Sequence, residues 1–260
     1  MIEGYSVRTL SRLYRTSRAT LQRSITYWLN HPPHEEIFHR AAKHIIVDGT
    51  ILWKRRGLYV ALDAVTHHRI LGAYDIAEGG KELFNFYRKL SEAGITPKSA
   101  TIDGNRPQMK YLEKVWPGII IQRCVVHVQR QGLSWCRLHP KRTDAKHLRV
   151  LFVDLSKIKT RNDVHHFLHR VDLWEQRFGT VIEHTPAHGY VFTDLKNARK
   201  MLLKALPDLF HFISNPDIAS STNALEGYFS RLKEHYRRHR GLSPQHRKSY
   251  FLWYFYLVPK

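Results

Sequence analysis

Apolar residues recur at helical spacing in two short runs within the first thirty residues. The first run consists of Val7, Leu10, Leu13 and Tyr14, and the second lies within 21–29. Ser17 precedes the second run and is a residue type that starts helices, because its hydroxyl accepts a hydrogen bond from a first-turn N–H group. The pattern over 1–30 predicts two helices joined by a tight turn, which is either a helix-turn-helix or a structural helical hairpin.

The start of the second predicted helix carries polar side chains that suit DNA recognition. In a helix-turn-helix, this end of the second helix enters the major groove, where Arg and Gln bind base edges. The candidate DNA-binding residues are Arg18, Thr20, Gln22 and Arg23. A usual three-helix version needs one more helix upstream, so the sequence leaves open whether this region still supports specific binding.

After a proline-containing linker over 31–43, the pattern changes to β-branched and aromatic runs. Three runs predict strands over 44–52, 58–66 and 69–76. A helix over 80–94 follows, and then a strand, a helix and a strand are predicted over 100–103, 106–116 and 119–122, leading into a helix from Cys124. A three-strand meander followed by β/α units predicts an α/β fold with a mixed sheet, whose first part is 44–129.

The region 130–216 shows helical periodicity and no clear strand pair, which predicts an all-helical insertion. Within it, Trp174 could stack on a nucleic-acid base or lie in the core, and we favour the core. In 217–260, Leu225, Phe229 and Leu232 recur at helical spacing and predict a helix that ends at Gly241. The apolar run 250–258 is far shorter than the ~20 residues of a membrane helix. It therefore predicts a C-terminal helix that packs into the core.

The charge of the chain favours a polyanionic partner. Lys and Arg number 42 against 22 Asp and Glu, which gives a formal net charge of +20. This excess is too large for an ordinary metabolic enzyme and favours nucleic acid. Two cysteines in 260 residues argue against a disulfide scaffold, and the N-terminal residues lack the pattern of a signal peptide. We therefore expect a soluble, intracellular protein.

Three acids occupy positions that suit metal ligands. Asp48 lies inside the first predicted strand, Asp103 closes the fourth, and Glu226 lies in the first turn of the late helix. A carboxylate in a buried strand is costly unless a metal, a partner or water satisfies it. Two Mg²⁺ ions about 4 Å apart need hard oxygen ligands of this kind. The three acids are therefore a candidate two-metal site for phosphoryl transfer.

Each acid also has a structural interpretation. Asp48 and Asp103 are both followed by glycine, and Asp-Gly is the strongest short signal for a hairpin turn. A turn is less plausible at Asp103, because a predicted helix rather than a strand follows it. An acid such as Glu226 is also favoured at the positive end of any helix. Asp63 and Asp75 are further strand acids that compete for the ligand role.

Four local motifs resemble, in the same order, those of DDE transposases, closest to the Mutator-like group and its bacterial insertion-sequence relatives. They are VDGT at 47–50, TIDGN at 101–105, RCVVH at 123–127 and TNALEGYFSRLK at 222–233. The resemblance covers 45–242. It implies an RNase H-like core that a helical insertion interrupts before the last catalytic helix.

The resemblance implies a DNA transposase that cleaves strands at the ends of an element and joins the freed 3′-OH to target DNA. Asp48, Asp103 and Glu226 would be its catalytic residues and the ligands of two Mg²⁺ ions, with Mn²⁺ able to substitute. Cys124, His127 and Lys233 would lie beside the active site. The implied partner is double-stranded DNA, and a homo-oligomer is implied for the active complex. No membrane contact is expected, and the implied location is the bacterial cytoplasm at the nucleoid.

Two further groups of side chains are candidates for binding a metal ion or DNA. Cys124, His127, Cys136 and His139 form two Cys-x-x-His pairs, which could chelate zinc because residues three apart share a helix face. No usual zinc-module spacing matches, so we do not expect structural zinc. The basic residues Arg231, Arg237 and Arg238 of the late helix are expected to contact DNA phosphates.

Two other functions stay open. A truncated or domesticated transposase remnant would bind DNA through its basic helices without cutting it, and an RNase H-like nuclease would act on RNA–DNA hybrids. The intact set of three acids favours the active transposase. The short N-terminal region favours the remnant.

Overall fold

The computed structural model describes residues 1–35, 37, 41–53, 56–77, 80–184 and 189–258, with the backbone alone for 191 and 192. The expected linker over 31–43 therefore falls partly outside the described residues. The chain divides into two compact units. The first unit comprises Met1–Lys98, Asn105–Ile119 and Asn223–Lys260, and the second unit comprises Ser99–Gly104 and Ile120–Thr222.

The strands are β1 (His44–Trp53), β2 (Arg56–Asp63), β3 (Arg69–Ala77), β4 (Ser99–Ile102) and β5 (Ile120–Arg123). In the first unit, β1, β2 and β3 form an antiparallel meander. In the second unit, β4 and β5 pair in parallel. The strands belong to one mixed five-stranded sheet of order β3-β2-β1-β4-β5. This confirms the predicted α/β class with a mixed sheet.

The helices follow the predicted order closely. They are α1 (Val7–Leu13), α2 (Arg18–Asn30), α3 (Lys81–Glu92), α4 (Arg106–Val115), α5 (Val125–Cys136), α6 (Thr143–Asp154), α7 (Arg161–Trp174), α8 (Thr180–His184), α9 (Gly189–Ala205), α10 (His211–Ser214), α11 (Asn223–Arg237) and α12 (Pro244–Leu257). Short 3₁₀ turns occupy Leu155–Lys157 and Leu206–Asp208, and a π-helical turn occupies Glu175–Gly179. Within the described residues, no helix is long and apolar enough to cross a bilayer.

The first unit buries the apolar faces that helical spacing predicted. The buried side chains of α3 are Leu83, Phe86, Tyr87 and Leu90. The predicted C-terminal helix is α12, whose aromatic residues Tyr250, Phe251, Tyr254 and Phe255 are almost completely buried. α12 packs against β3 and α2. The prediction that the run 250–258 forms a helix that packs into the core is therefore confirmed as far as Phe255, whereas Tyr256 and Leu257 at the end of α12 are exposed.

The N-terminal helices meet at a tight turn, as predicted. The Ser17 hydroxyl accepts a hydrogen bond from the backbone N–H of Thr20 at 3.1 Å, which caps α2. Trp28 of α2 packs edge-on against Trp253 of α12, and the Trp253 indole N–H donates to the Trp28 carbonyl at 2.8 Å. These contacts hold the helical pair within the first unit.

The second unit has a helical core of its own. The described residues of 130–216 form helices and connecting segments without a strand, as expected. α5 continues through the expected start of the insertion at residue 130 and ends at Cys136. Trp174 is buried, and its indole N–H donates to the Asp144 carbonyl at 3.0 Å. Its predicted place in the core is confirmed.

One alternative interpretation and one expectation are wrong. The hairpin alternative at Asp48 fails, because β1 continues through Asp48 and Gly49 and pairs with β2 on both sides of them. The late helix ends at Arg237 rather than at Gly241. The backbone N–H of His239 donates to the Tyr236 carbonyl at 2.7 Å, which closes a tighter turn after the helix. The side chains that follow bind the N-terminal segment: Arg238 donates to the Gly4 carbonyl at 2.8 Å, and the His239 ring bonds to the Met1 carbonyl at 3.2 Å. These partners lie at the opposite end of the sequence.

Candidate functional site

Asp48 lies in the middle of β1, on the face of the meander that α12 covers. Asp48 pairs with Val60 of β2, and Val60 pairs with Gly72 of β3. Residues paired in this way point to the same face of a sheet. The Phe255 ring of α12 lies against Gly72, where an added Cβ would come within 2.7 Å of it. The Asp48 side chain, which is half-buried, therefore projects toward the helix-covered face.

Glu226 lies in the first turn of α11, a helix that packs against β1. The buried side chains of α11 are Leu225, Tyr228, Phe229 and Leu232. The rings of Tyr228 and of Tyr254 in α12 have centroids 5.9 Å apart. α11 and α12 therefore lie on the same side of the meander, which is the side of Asp48. The first unit thus brings the strand of Asp48 and the helix of half-buried Glu226 into contact.

Asp48 is followed by glycine because another side chain occupies the space beside residue 49. Gly49 pairs with Tyr59 across the strands, and an added Cβ would come within 2.5 Å of the Tyr59 ring. The Gly49 N–H donates to Asp48 Oδ1 at 2.8 Å, so part of the carboxylate is held by the backbone next to it. Because the Gly49 N–H belongs to the backbone of β1, this hydrogen bond fixes the orientation of Asp48 Oδ1 relative to the strand.

The two competing strand acids have local structural roles. Asp63 Oδ1 accepts the backbone N–H groups of Val65 and Thr66 at 2.9 and 2.7 Å, which closes the turn after β2. Asp75 is bound by the Arg56 guanidinium at 2.6 Å. Arg56 also binds Glu82 at 3.0 Å. These partners account for both carboxylates without a metal ion.

Asp103 follows β4 in the second unit and lines a cavity of about 320 Å³. The other lining residues are Arg123, His127, Val128, Arg130, Gln131, Ser134 and Met201. Gly104 adopts a φ of +92°, and an added Cβ there would overlap the Arg123 guanidinium. The glycine after Asp103 is therefore needed both for its backbone conformation and for the close approach of Arg123. The structure brings Asp103 and His127 to one cavity.

Arg123 is a cavity residue that sequence reasoning missed. It is the last residue of β5 and pairs with Ile102, the residue before Asp103. Burial lowers the pKa of its guanidinium, against the opposing influence of the Asp103 carboxylate. Among the described residues, its buried Nε atom has no hydrogen-bond partner. The available signal was its place in the RCVVH motif, directly before Cys124.

Cys124 and His127 bind the segment that precedes α11 in the sequence. The buried Sγ of Cys124 accepts the backbone N–H of Thr222 at 3.3 Å. The Thr222 hydroxyl lies 3.6 Å from the same sulfur and 3.3 Å from His127 Nδ1. The Val125 N–H donates to the Ser220 carbonyl at 3.0 Å. The Cys-x-x-His pair thus anchors the chain four residues before Glu226.

The two cysteines occupy opposite ends of α5. Cys124 caps its N-terminus and Cys136 is its last residue, so about 18 Å of helix separates them. One tetrahedral zinc site cannot include both. Burial acts to raise the pKa of Cys124, but the bonds from His127 and Thr222 outweigh it and hold that pKa below its usual value. Burial raises the pKa of Cys136 to about 12.

All the predicted DNA-contact residues are exposed. They are Arg18, Thr20, Gln22, Arg23, Arg231, Arg237 and Arg238. Lys233, which was expected beside the active site, is exposed as well. Three of the DNA-contact residues also have local partners. The Thr20 hydroxyl lies 2.9 Å from that of Ser17 and accepts from Arg23 at 3.4 Å, and Arg238 binds Gly4. Their exposure leaves the predicted contacts sterically possible.

The carboxylates Asp48, Asp103 and Glu226 are oxygen donors of the kind that Mg²⁺ prefers, and each is partly exposed. Among the described residues, no three His, Cys, Asp or Glu side chains come close enough together to hold a metal ion. Mg²⁺ commonly binds through one or two carboxylates, waters and substrate phosphates, so a preformed cluster is not a requirement. No family model matches the chain, and no curated protein matches it.

Proposed function

We propose that this chain is a DNA transposase with an RNase H-like core, in which Asp48, Asp103 and Glu226 are the catalytic carboxylates for two Mg²⁺ ions. The observation that carries the proposal is the arrangement within the first unit. Asp48 stays in an uninterrupted strand, and its face of the meander is the one against which the Glu226 helix packs. The order of the four motifs and the net charge of +20 also support it.

Some residues of the proposed site would bind metal ions, and others hold those residues in position. Mg²⁺ at the carboxylates would supply Lewis-acid stabilisation of the charge on the reacting phosphate. The Gly49 N–H orients the Asp48 carboxylate, and the bonds from Thr222 to Cys124 fix the chain before Glu226. The exposed basic residues of α11 and its end, Arg231, Arg237 and Arg238, would bind duplex phosphates without regard to base sequence.

A cleavage assay with single carboxylate variants tests this proposal. The substrate is labelled duplex DNA that carries the sequences flanking the reading frame, with Mg²⁺ or Mn²⁺ present. We expect Asp48→Asn, Asp103→Asn and Glu226→Gln each to lower strand cleavage and strand transfer at least about 100-fold, because each removes an anionic metal ligand. DNA binding without metal should remain.

Glu234→Gln is the matched control, because Glu234 is an exposed acid of the same helix α11. It should cleave at the wild-type rate. Near-normal cleavage by any of the three variants would remove that residue from the proposed site. Binding without cleavage by the wild-type protein would favour the inactive remnant, and cleavage confined to RNA–DNA hybrids would favour the nuclease.

A further inference from the structure

The cavity beside Asp103 has more cationic than anionic lining. Its charged lining residues are Arg123, Arg130 and Asp103, so two guanidinium groups face one carboxylate. His127, Gln131 and Ser134 add polar side chains that donate hydrogen bonds. A cavity of about 320 Å³ with this lining suits an anionic group that accepts several hydrogen bonds.

Four of the lining residues form a stripe along α5. His127, Arg130, Gln131 and Ser134 follow the spacing i, i+3, i+4 and i+7, so they lie on one side of the helix. Seven residues of helix span about 10 Å, which is long enough to follow more than one phosphate of a nucleic acid strand. The stripe therefore fits an extended polyanion better than a single small ion.

Arg123 lies at the end of this stripe with an incomplete set of partners. Its Nε is buried and has no hydrogen-bond partner among the described residues. Two acids, Asp103 and Asp208, lie near enough to influence its charge. A guanidinium that is held this close to the backbone of Gly104 is fixed in place before any ligand arrives, so little side-chain entropy is lost on binding.

We propose that Arg123 and the α5 stripe form a phosphate-binding cleft of the second unit, and that its ligand is the phosphodiester backbone of DNA. This rests on the proposed function for the identity of the polyanion. It adds Arg123, Arg130, Gln131 and Ser134, to which the resemblance assigns no role, and it gives the partly buried Arg123 a function in binding phosphate as well as in the fold.

DNA binding in EDTA tests the cleft without any metal-dependent reaction. The full chain is titrated with a labelled duplex of arbitrary sequence over a series of potassium chloride concentrations, and affinity is read by fluorescence anisotropy. Arg123→Gln should weaken binding about tenfold at moderate salt and reduce the slope of log K against log[salt] by about one. Arg123→Lys should restore the slope, because it restores the charge. The control Arg161→Gln, at an exposed arginine of the same unit, should leave the slope unchanged.

A second pair of variants covers the case in which Arg123→Gln does not fold. Gln131 and Gln176 are both exposed residues of the second unit, but only Gln131 lines the cleft. Gln131→Glu should weaken DNA binding about tenfold through charge repulsion, while Gln176→Glu should bind nearly as the wild type does. Equal binding by these two proteins, or an unchanged salt slope in folded Arg123→Gln, would overturn the inference.

Inorganic phosphate serves as the second probe. Calorimetry with phosphate alone should give no saturable binding, because one small anion contacts only part of the stripe. Tight phosphate binding together with an unchanged DNA salt slope would reassign the cleft to a small anion. The two proposals fail separately: normal cleavage by Asp48→Asn contradicts the catalytic assignment, whereas these binding assays in EDTA test the cleft alone.

Discussion

The chain contains two Asp-Gly pairs, and the two units use them differently. In the first unit, Asp48-Gly49 lies inside a strand, and the glycine is required because the Tyr59 ring covers it. In the second unit, Asp103-Gly104 follows a strand, and the glycine is required because its φ is +92° and Arg123 lies against it. The same dipeptide thus requires its glycine for two separate reasons. At Gly49 the neighbouring Tyr59 ring leaves no room for a side chain, and at Gly104 the backbone has a positive φ.

The comparison explains why a dipeptide alone does not predict local structure. Asp-Gly permits a hairpin turn, but it does not require one. At Asp48 the flanking apolar residues pair with β2 on both sides, and this pairing keeps the chain extended. At Asp103 the helix N-cap Asn105 follows at once, and its side chain accepts the Gln108 N–H at 3.4 Å. The residues around each pair decide its conformation.

Gly104→Ala should have the largest effect on stability. It combines an unfavourable positive φ with displacement of the partly buried Arg123 guanidinium, and we expect the free energy of unfolding to fall by about 3 kcal/mol. Gly94→Ala is the matched control, since Gly94 has a φ of +82° and open space around its Cβ position. It should cost about 1 kcal/mol. Urea unfolding of both variants measures the difference, and equal losses would show that the Arg123 contact contributes nothing.

Gly49→Ala should have the next largest effect, through crowding rather than backbone strain. The Tyr59 ring must move away from the new methyl group, and we expect a loss of about 2 kcal/mol. In a Tyr59→Ala background the same substitution should cost less than about 0.5 kcal/mol, because the ring is gone. A double-mutant cycle by chemical denaturation gives this coupling. A full loss in the Tyr59→Ala background would place the constraint in the backbone instead.

Cys124→Ser should have the smallest effect, about 1 kcal/mol or less, because the serine hydroxyl can still accept the bonds that cap α5. Its pH dependence is more informative. The folded-state pKa of Cys124 lies below its usual value of 9.0, so its contribution to stability is complete above pH 9.0 and is lost as pH falls through the folded pKa. The unfolding free energy of the wild type, relative to Cys124→Ser, should therefore rise as pH approaches 9.0 from below.

Chemical unfolding of the wild type and of Cys124→Ser at several pH values measures whether this difference in unfolding free energy rises with pH. Cys136 is present in both and lies at the other end of α5, so its own titration cancels in the difference. A difference that is constant with pH would contradict the thiolate-stabilising bonds from Thr222 and His127.

The sequence alone determined the parts of the molecule that depend on local pattern. Helical spacing located the buried face of α3 and that of α11, and β-branched runs located the three strands of the meander. Helix starts at Ser17 and Cys124 also followed from residue type and position. These features depend on residues a few positions apart, whose periodicity is visible in the chain.

Tertiary structure decided the features whose partners are distant in sequence. Phe255 and Val60 show which face of β1 carries Asp48, and the N-terminal residues Met1 and Gly4 bind the residues that follow the end of α11 at Arg237. The bond from Thr222 to Cys124 joins residues 98 positions apart. The burial of Arg123 against Gly104 depends on two parallel strands that lie side by side. The spacing of residues along the chain does not predict such contacts, because they form only when separate elements pack together.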